Sequence, residues 1–185
     1  MTPALEKAYA QPHRRYHTRR HIEVCLELLA TVDGLGGGDH RALERAIWWH
    51  DAVYDPRRSD NEAMSAALAE RDLAAVGVPA PQIAEVARLI RLTAAHHAEP
   101  GDRLGALMIS IDLAILGAAD SDYDAYARAV RAEYAHLPPQ QYRAGRRRVL
   151  EALLASDPLF PDEAFHARFE AAARANLVRE LKGLG

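Results

Sequence analysis

Apolar residues recur at three- and four-residue intervals through most of the chain, in alanine- and leucine-rich segments parted by short clusters of Gly, Pro, Asp and Ser. That spacing belongs to amphipathic helices, not to the alternation of strands. Thr18 predicts the N-cap of a helix running to about Asp33, with Ile22, Cys25, Leu26 and Leu29 on one stripe. The run Gly34-Leu35-Gly36-Gly37-Gly38 stops it and reads as a flexible connection. Asp39 predicts the cap of the next helix, carried through Leu43, Ala46, Ile47, Trp48 and Trp49 to about Tyr54, where Pro56 disfavours continuation. Ser59 and Glu62 have the spacing of a capping box and open a helix to about Val76, with Gly77 as its stop. A further helix is predicted from Pro81 to about His97.

The segment Leu104 to Gly117 is apolar on nearly all sides, which predicts a central buried helix with Asp112 as the anomaly in it. Helices over about Ser121–His136, Pro139–Ala155 and Asp162–Leu181 complete the reading. No alternating run is long enough for a sheet, so the predicted class is all-α. At 185 residues the chain suits one helical domain, 1–185, in which about 138–185 can pack as a C-terminal helical arm. A domain this size buries roughly 70% of its extended surface and needs no metal merely to stay folded.

Composition narrows the function. The net charge of -3 supplies no overall basic field for a nucleic-acid polymer or an anionic membrane. The single cysteine, Cys25, cannot form an internal bridge, which fits a reducing compartment, and the cytoplasm is the predicted location. The N-terminus has no apolar core of signal-peptide length, and no apolar run approaches the ~20 residues of a membrane span.

Candidate chemistry rests on where histidines and acids fall. His50-Asp51 follows two tryptophans at the end of an apolar helix, and Asp112 lies in the most hydrophobic segment. An ionised carboxylate there costs several kcal/mol unless paired, hydrogen-bonded or metal-bound. His21, His50, Asp51 and Asp112 together offer two neutral imidazoles and two negative charges, a set that neutralises a divalent transition ion. Two bland readings stand beside this one. Asp112 can be a buried carboxylate bonded to an arginine or a helix N-terminus, and His50 can be an imidazole at the negative end of a helix. No compact motif such as HExxH or paired CxxC is present.

The ordered set YHTRRH (Tyr16 to His21), WWHDAVYD (Trp48 to Asp55) and SIDLAILG (Ser110 to Gly117) resembles the HD-domain metal-dependent phosphohydrolase superfamily. The likeness extends to a bacterial branch of predicted HD phosphohydrolases of poorly defined substrate, through Asp60-Asn61-Glu62, Thr93 to His96, Gly145-Arg146 and Ala173 to Leu177. It covers the chain from about Tyr16 to Leu181. The resemblance implies an all-helical core with the C-terminal helices packed on it, and His21, His50, Asp51 and Asp112 as successive ligands of one divalent metal ion. Two imidazole ligands favour Mn, Fe, Co, Ni or Zn over Mg. The implied activity is cleavage of a phosphate ester or anhydride of a small molecule, with a nucleotide as the favoured class, by metal-activated water.

Further candidate roles follow partly from the same resemblance and partly from position along the chain. His17, four residues before His21, is similar to the general-acid histidine of cyclic-nucleotide phosphodiesterases; the bland reading is an exposed N-terminal residue. Asp55 and Glu62 are candidates to orient water or accept its proton, against readings as a turn carboxylate and a capping acid. His96 and His97 are adjacent and face different ways, so at most one looks into the cleft; His96 is the candidate phosphate contact or extra ligand. Within the cluster Arg143, Arg146, Arg147 and Arg148, the candidate phosphate clamp is Arg146. Tyr16, Trp48, Trp49 and Tyr54 are either a base-stacking wall or packing. The implied partner is a small phosphorylated molecule, with no nucleic-acid polymer and no membrane, and self-association into a homo-oligomer is left open. Two rivals remain, an HD-type di-iron oxygenase and a non-catalytic helical binding module.

Overall fold

A computed structural model describes residues 3–185, and every regular element among them is helical. The helices are α1 (Pro3–Tyr9), α2 (Arg19–Leu29), α3 (Gly37–Trp49), α4 (Asn61–Ala75), α5 (Ala80–Leu92), α6 (Arg103–Asp112), α7 (Asp120–Glu133), α8 (Pro139–Ala155) and α9 (Glu163–Gly183). A 3-10 segment, Leu113–Gly117, continues directly from α6. No single described helix is long and apolar enough to cross a membrane.

Most predicted helices appear within a few residues of their expected bounds, and the departures have local causes. The helix α3 begins at Gly37, so the last two glycines of the 34–38 run form its first turn and Gly36, not Asp39, is its N-cap. It ends at Trp49 instead of Tyr54, because the His50 ring takes the Ile47 carbonyl that another helical turn would have used. The capping box is absent: α4 opens after Asp60, and no side chain caps it. The helix α5 stops at Leu92, where the Thr93 hydroxyl donates to the Ile90 carbonyl and competes with the helical ladder. His96 then adopts a left-handed backbone with φ of 48°. The apolar 104–117 segment is a helix only as far as Asp112, after which the chain tightens into the 3-10 turn.

The α6 segment is central, with Leu107 to Ile111 all buried. It packs against α2, α3, α5 and α9. Leu150, Phe165, Ala173 and Leu177 of α8 and α9 belong to the same apolar core as Ile22 and Ile47. The Asn176 side chain ties α9 to the end of the 3-10 segment by donating to the Leu116 and Ala118 carbonyls, each at 2.9 Å. Near the other end, Tyr9 of α1 donates to the Trp48 carbonyl at 2.9 Å. The first turn of α2, the end of α3 and the end of α6 thereby meet at one place.

Candidate metal centre

Four side chains converge where those ends meet. His21 Nε2 lies 3.1 Å from His50 Nε2, 3.2 Å from Asp112 Oδ1 and 3.6 Å from Asp51 Oδ2. His50 Nε2 lies 3.2 Å from Asp51 Oδ2 and 3.4 Å from Asp112 Oδ1. Donors about 2.1 Å from a shared ion are about 3.0 Å apart at cis positions of an octahedron and about 3.4 Å apart in a tetrahedron. Four of the five separations fall in that range, and the fifth, from His21 Nε2 to Asp51 Oδ2, is slightly longer at 3.6 Å. Both imidazoles are buried, and the carboxylates retain side-chain exposures of only 17% and 14%.

The donor set suits a cation. His50 Nδ1 lies 2.8 Å from the Ile47 carbonyl, which can only accept, so Nδ1 carries the hydrogen and Nε2 turns toward the other three groups. His21 Nδ1 lies 3.1 Å from the Tyr16 hydroxyl, which can accept its hydrogen in the same way. Two Nε2 lone pairs facing each other at 3.1 Å repel unless a proton or a metal ion lies between them. Burial opposes charge on His50, but Asp51 and then Asp112 overcome it and hold the imidazole well above its ordinary pKa. Burial likewise opposes ionisation of Asp51 and Asp112, and His50 is the leading charge that keeps both carboxyls below the usual range. The group His21, His50 and Asp51, with Asp112 against it, can therefore hold a metal ion.

Cys25 approaches the same place, its Sγ 3.8 Å from His21 Nδ1. Burial, reinforced by Asp112 and Asp51, pushes its thiol well up. The protonated sulfur packs beneath the His21 ring and is a poorer donor than the carboxylates.

The remaining expected residues divide. His96 reaches the edge of the group, its Nε2 3.4 Å from Asp112 Oδ2, while His97 is 73% exposed beside Glu99. The His17 ring stands 6.2 Å from the His21 ring, between Tyr54, stacked at 4.2 Å, and Tyr16, edge-on at 5.0 Å. Asp55 stays outside the group as a turn carboxylate: its Oδ1 accepts from the Arg57 amide, and its own amide donates to Asn61. Glu62, half-buried in the first turn of α4, is not among the side chains whose donor atoms gather. Arg146 is also elsewhere, buried on α8 with its guanidinium on Glu180 at 2.8 and 2.9 Å and on the Tyr126 hydroxyl at 3.3 Å. Trp49 is buried and packs, whereas Tyr16 and Tyr54 do line the site.

Two residues beside the site escaped sequence reasoning. Arg14 is 3% exposed and donates to the carbonyls of His17, Asp51 and Ala52, so it binds the loop before α2 to the turn after α3. Glu133, at the end of α7, accepts from His17 Nδ1 at 2.7 Å. Neither bears a local signal: Arg14 sits in a polar stretch rich in arginine, and Glu133 looks like any helix-surface acid. No protein-family model, curated protein or solved structure matches the chain.

Proposed function

We propose that the chain is a metal-dependent phosphohydrolase of the HD type, acting on a phosphate ester or anhydride of a small molecule, with a nucleotide as the favoured class. The observation that carries this reading is the convergence of two imidazole nitrogens and two carboxylate oxygens from three helix ends, with the nitrogens 3.1 Å from each other and 3.2 to 3.6 Å from the oxygens. Its order along the chain, His21, His50-Asp51, Asp112, is the order on which the resemblance rests. Such a donor set favours Mn, Fe, Co, Ni or Zn over Mg. When bound, a divalent ion supplies a nucleophile from water near neutral pH and polarises the phosphoryl group.

The chain's own residues support the rest of the reaction. His17 stands beside the donor group with its pKa raised: burial opposes the charge, and Asp51 and Glu133 outweigh it. A protonated imidazole there can give its proton to the leaving oxygen. His96, whose Nε2 lies 3.4 Å from Asp112 Oδ2, is the residue we assign to contact a phosphate oxygen. The Tyr54 and Tyr16 rings flank His17 on two sides.

Metal analysis of the purified protein, followed by a phosphate-release screen over nucleotides, sugar phosphates and cyclic nucleotides with Mn, Co, Ni, Fe and Mg, tests the proposal. Asp51→Ala should lose metal and turnover together while keeping its helicity. His17→Ala should keep the metal and slow turnover by roughly 100-fold or more. Full turnover and full metal content in Asp51→Ala would refute the assignment. Two irons per chain with oxygen-dependent turnover would replace it by oxygenase chemistry, and firm metal binding without hydrolysis across the panel would leave a binding module.

A further inference from the structure

The side chain of Glu133 is more completely engaged than an anchor requires. It is 4% exposed, and its Oε1 accepts from three successive amides, those of Arg15 at 2.7 Å, Tyr16 at 2.8 Å and His17 at 3.0 Å. Those three bonds alone would hold the loop that leads into α2. The second oxygen has a different pair of partners: Oε2 accepts from His17 Nδ1 at 2.7 Å and from the Tyr54 hydroxyl at 2.8 Å. A carboxylate offers about four lone-pair sites, so five donors leave it no room to carry a proton of its own. Burial works against its charge, but His17 and the amides of Arg15 and Tyr16 hold it down at about 2. Burial and then Glu133 push the Tyr54 phenol up, so that hydroxyl stays a donor.

These contacts constrain the imidazole in two ways. An ionised carboxylate accepts only, so the hydrogen of the His17–Glu133 bond resides on Nδ1 and the ring's other nitrogen turns away from Glu133. The ring plane is set independently, by Tyr54 stacked at 4.2 Å with an interplanar angle of 27° and by Tyr16 edge-on at 82°. Tyr54 both stacks on the ring and shares its carboxylate, so α7, the loop before α2 and the turn after α3 act on one side chain.

We propose that Glu133 is the positioning residue of His17: it fixes the ring with a hydrogen on Nδ1 and leaves Nε2 as the nitrogen that delivers a proton to the leaving group. The inference rests on the phosphohydrolase reading for its use, though not for its geometry. In the step served, the water oxygen bonds to phosphorus, and the bond from phosphorus to the leaving oxygen breaks with its electron pair on that oxygen. The leaving oxygen takes the proton from His17 Nε2. The proton shed by water passes to solvent, from which Nε2 is later recharged. Throughout, the Nδ1–H bond to Glu133 persists, so the ring does not turn between cycles.

The test is nitrogen-15 NMR of histidine-labelled protein as purified, with His17→Asn identifying the His17 signals. The wild type should show His17 protonated at Nδ1, with a strongly downfield, slowly exchanging Nδ1–H resonance. Glu133→Gln can keep its carbonyl on the three amides but turns an NH2 group toward His17; it should lose that resonance and lower kcat by about 10- to 100-fold with KM and metal content unchanged. A wild-type ring protonated only at Nε2 would overturn the proposal without any variant, so a Glu133→Gln protein that fails to fold does not shelter it. A resonance that survives in Glu133→Gln, or one that is lost while kcat stays unchanged, would overturn it too. If the wild type hydrolyses nothing, the phosphohydrolase reading falls and the proton-delivery half goes with it, while the NMR result still decides the pairing.

Discussion

At the scale of single residues, the structure separates charged groups that the sequence offers as equals. Arg143, Arg146, Arg147 and Arg148 form one basic cluster, but only Arg146 shares a helix face with the buried Tyr142 and Leu150, at steps of four. That face directs its guanidinium to Glu180, which also accepts from Tyr123. Removing one member of a buried pair strands the other, at a cost of about 3 kcal/mol. Arg146→Met should therefore lower the unfolding free energy by about that amount, read as a lower urea midpoint with little change in slope, and Glu180→Leu added to it should restore part of the loss, the remainder being the Tyr123 hydroxyl left without its acceptor. A substrate clamp would behave in the opposite way, leaving stability intact while raising KM. The residues of the candidate metal centre were visible in the sequence for a related reason. His50, Asp51 and Asp112 are ionisable groups in apolar surroundings, where a lone charge is untenable, and that alone asks for partners. Glu133 gave no such warning, since its local context is a polar helix and its burial comes from a loop more than a hundred residues earlier.

At the scale of elements, apolar periodicity revealed which segments are helical, while their ends depended on contacts that periodicity does not encode. The stop of α3 is set by the His50 ring on the Ile47 carbonyl, and the stop of α5 by the Thr93 hydroxyl. The change from α-helix to 3-10 turn after Asp112 has no breaker in the sequence, which reads Leu-Ala-Ile-Leu there. Its neighbour in space supplies the constraint. A Cβ built on Gly117 would lie 2.7 Å from Phe169 Cβ and 2.8 Å from the Phe169 carbonyl oxygen, so α9 can press against the turn only if residue 117 has no side chain. Gly117→Ala should cost about 1 to 3 kcal/mol, because backbone on both sides would have to move. Gly38 is the useful contrast. It lies in the first turn of α3 with nothing within 4 Å of an added Cβ, so Gly38→Ala should raise stability by about 0.5 to 1 kcal/mol. Thermal unfolding of the two variants side by side checks both signs, and equal shifts would mean that the packing of α9 on the turn is not what excludes a side chain at 117.

At the scale of the whole molecule, the buried charges make stability a function of pH with two limbs. Glu133 is held at about 2 against an ordinary value of 4.5, and burial is outweighed in the same direction at Glu180, by Arg146, and at Glu170, by the amides of Phe160 and Leu159. A carboxyl whose folded pKa is depressed stabilises the fold above its unfolded value and loses that contribution as pH falls through the folded one. The Glu133 shift alone corresponds to about 3 kcal/mol, lost between about pH 4.5 and 2. His17 and His50 have the opposite sign. Their folded values are raised by Asp51 against the effect of burial, so their contribution is full below about 6.5 and disappears as pH rises through the folded pKa. The protein treated with a chelator should therefore be most stable between about pH 5 and 6.5 and weaken on both sides. Adding a divalent ion such as Mn or Zn should offset the part of the alkaline loss that comes from His50 and leave the acid limb unchanged, because ligation needs the imidazole neutral and puts the ion where its proton was. Denaturant titrations from pH 2 to 9, with and without the ion, would show a maximum that moves upward on metal addition. A chelated protein whose stability climbs steadily to pH 9 would mean that the two imidazoles do not depend on a positive charge between them, and the argument for a cation at this junction would go with it.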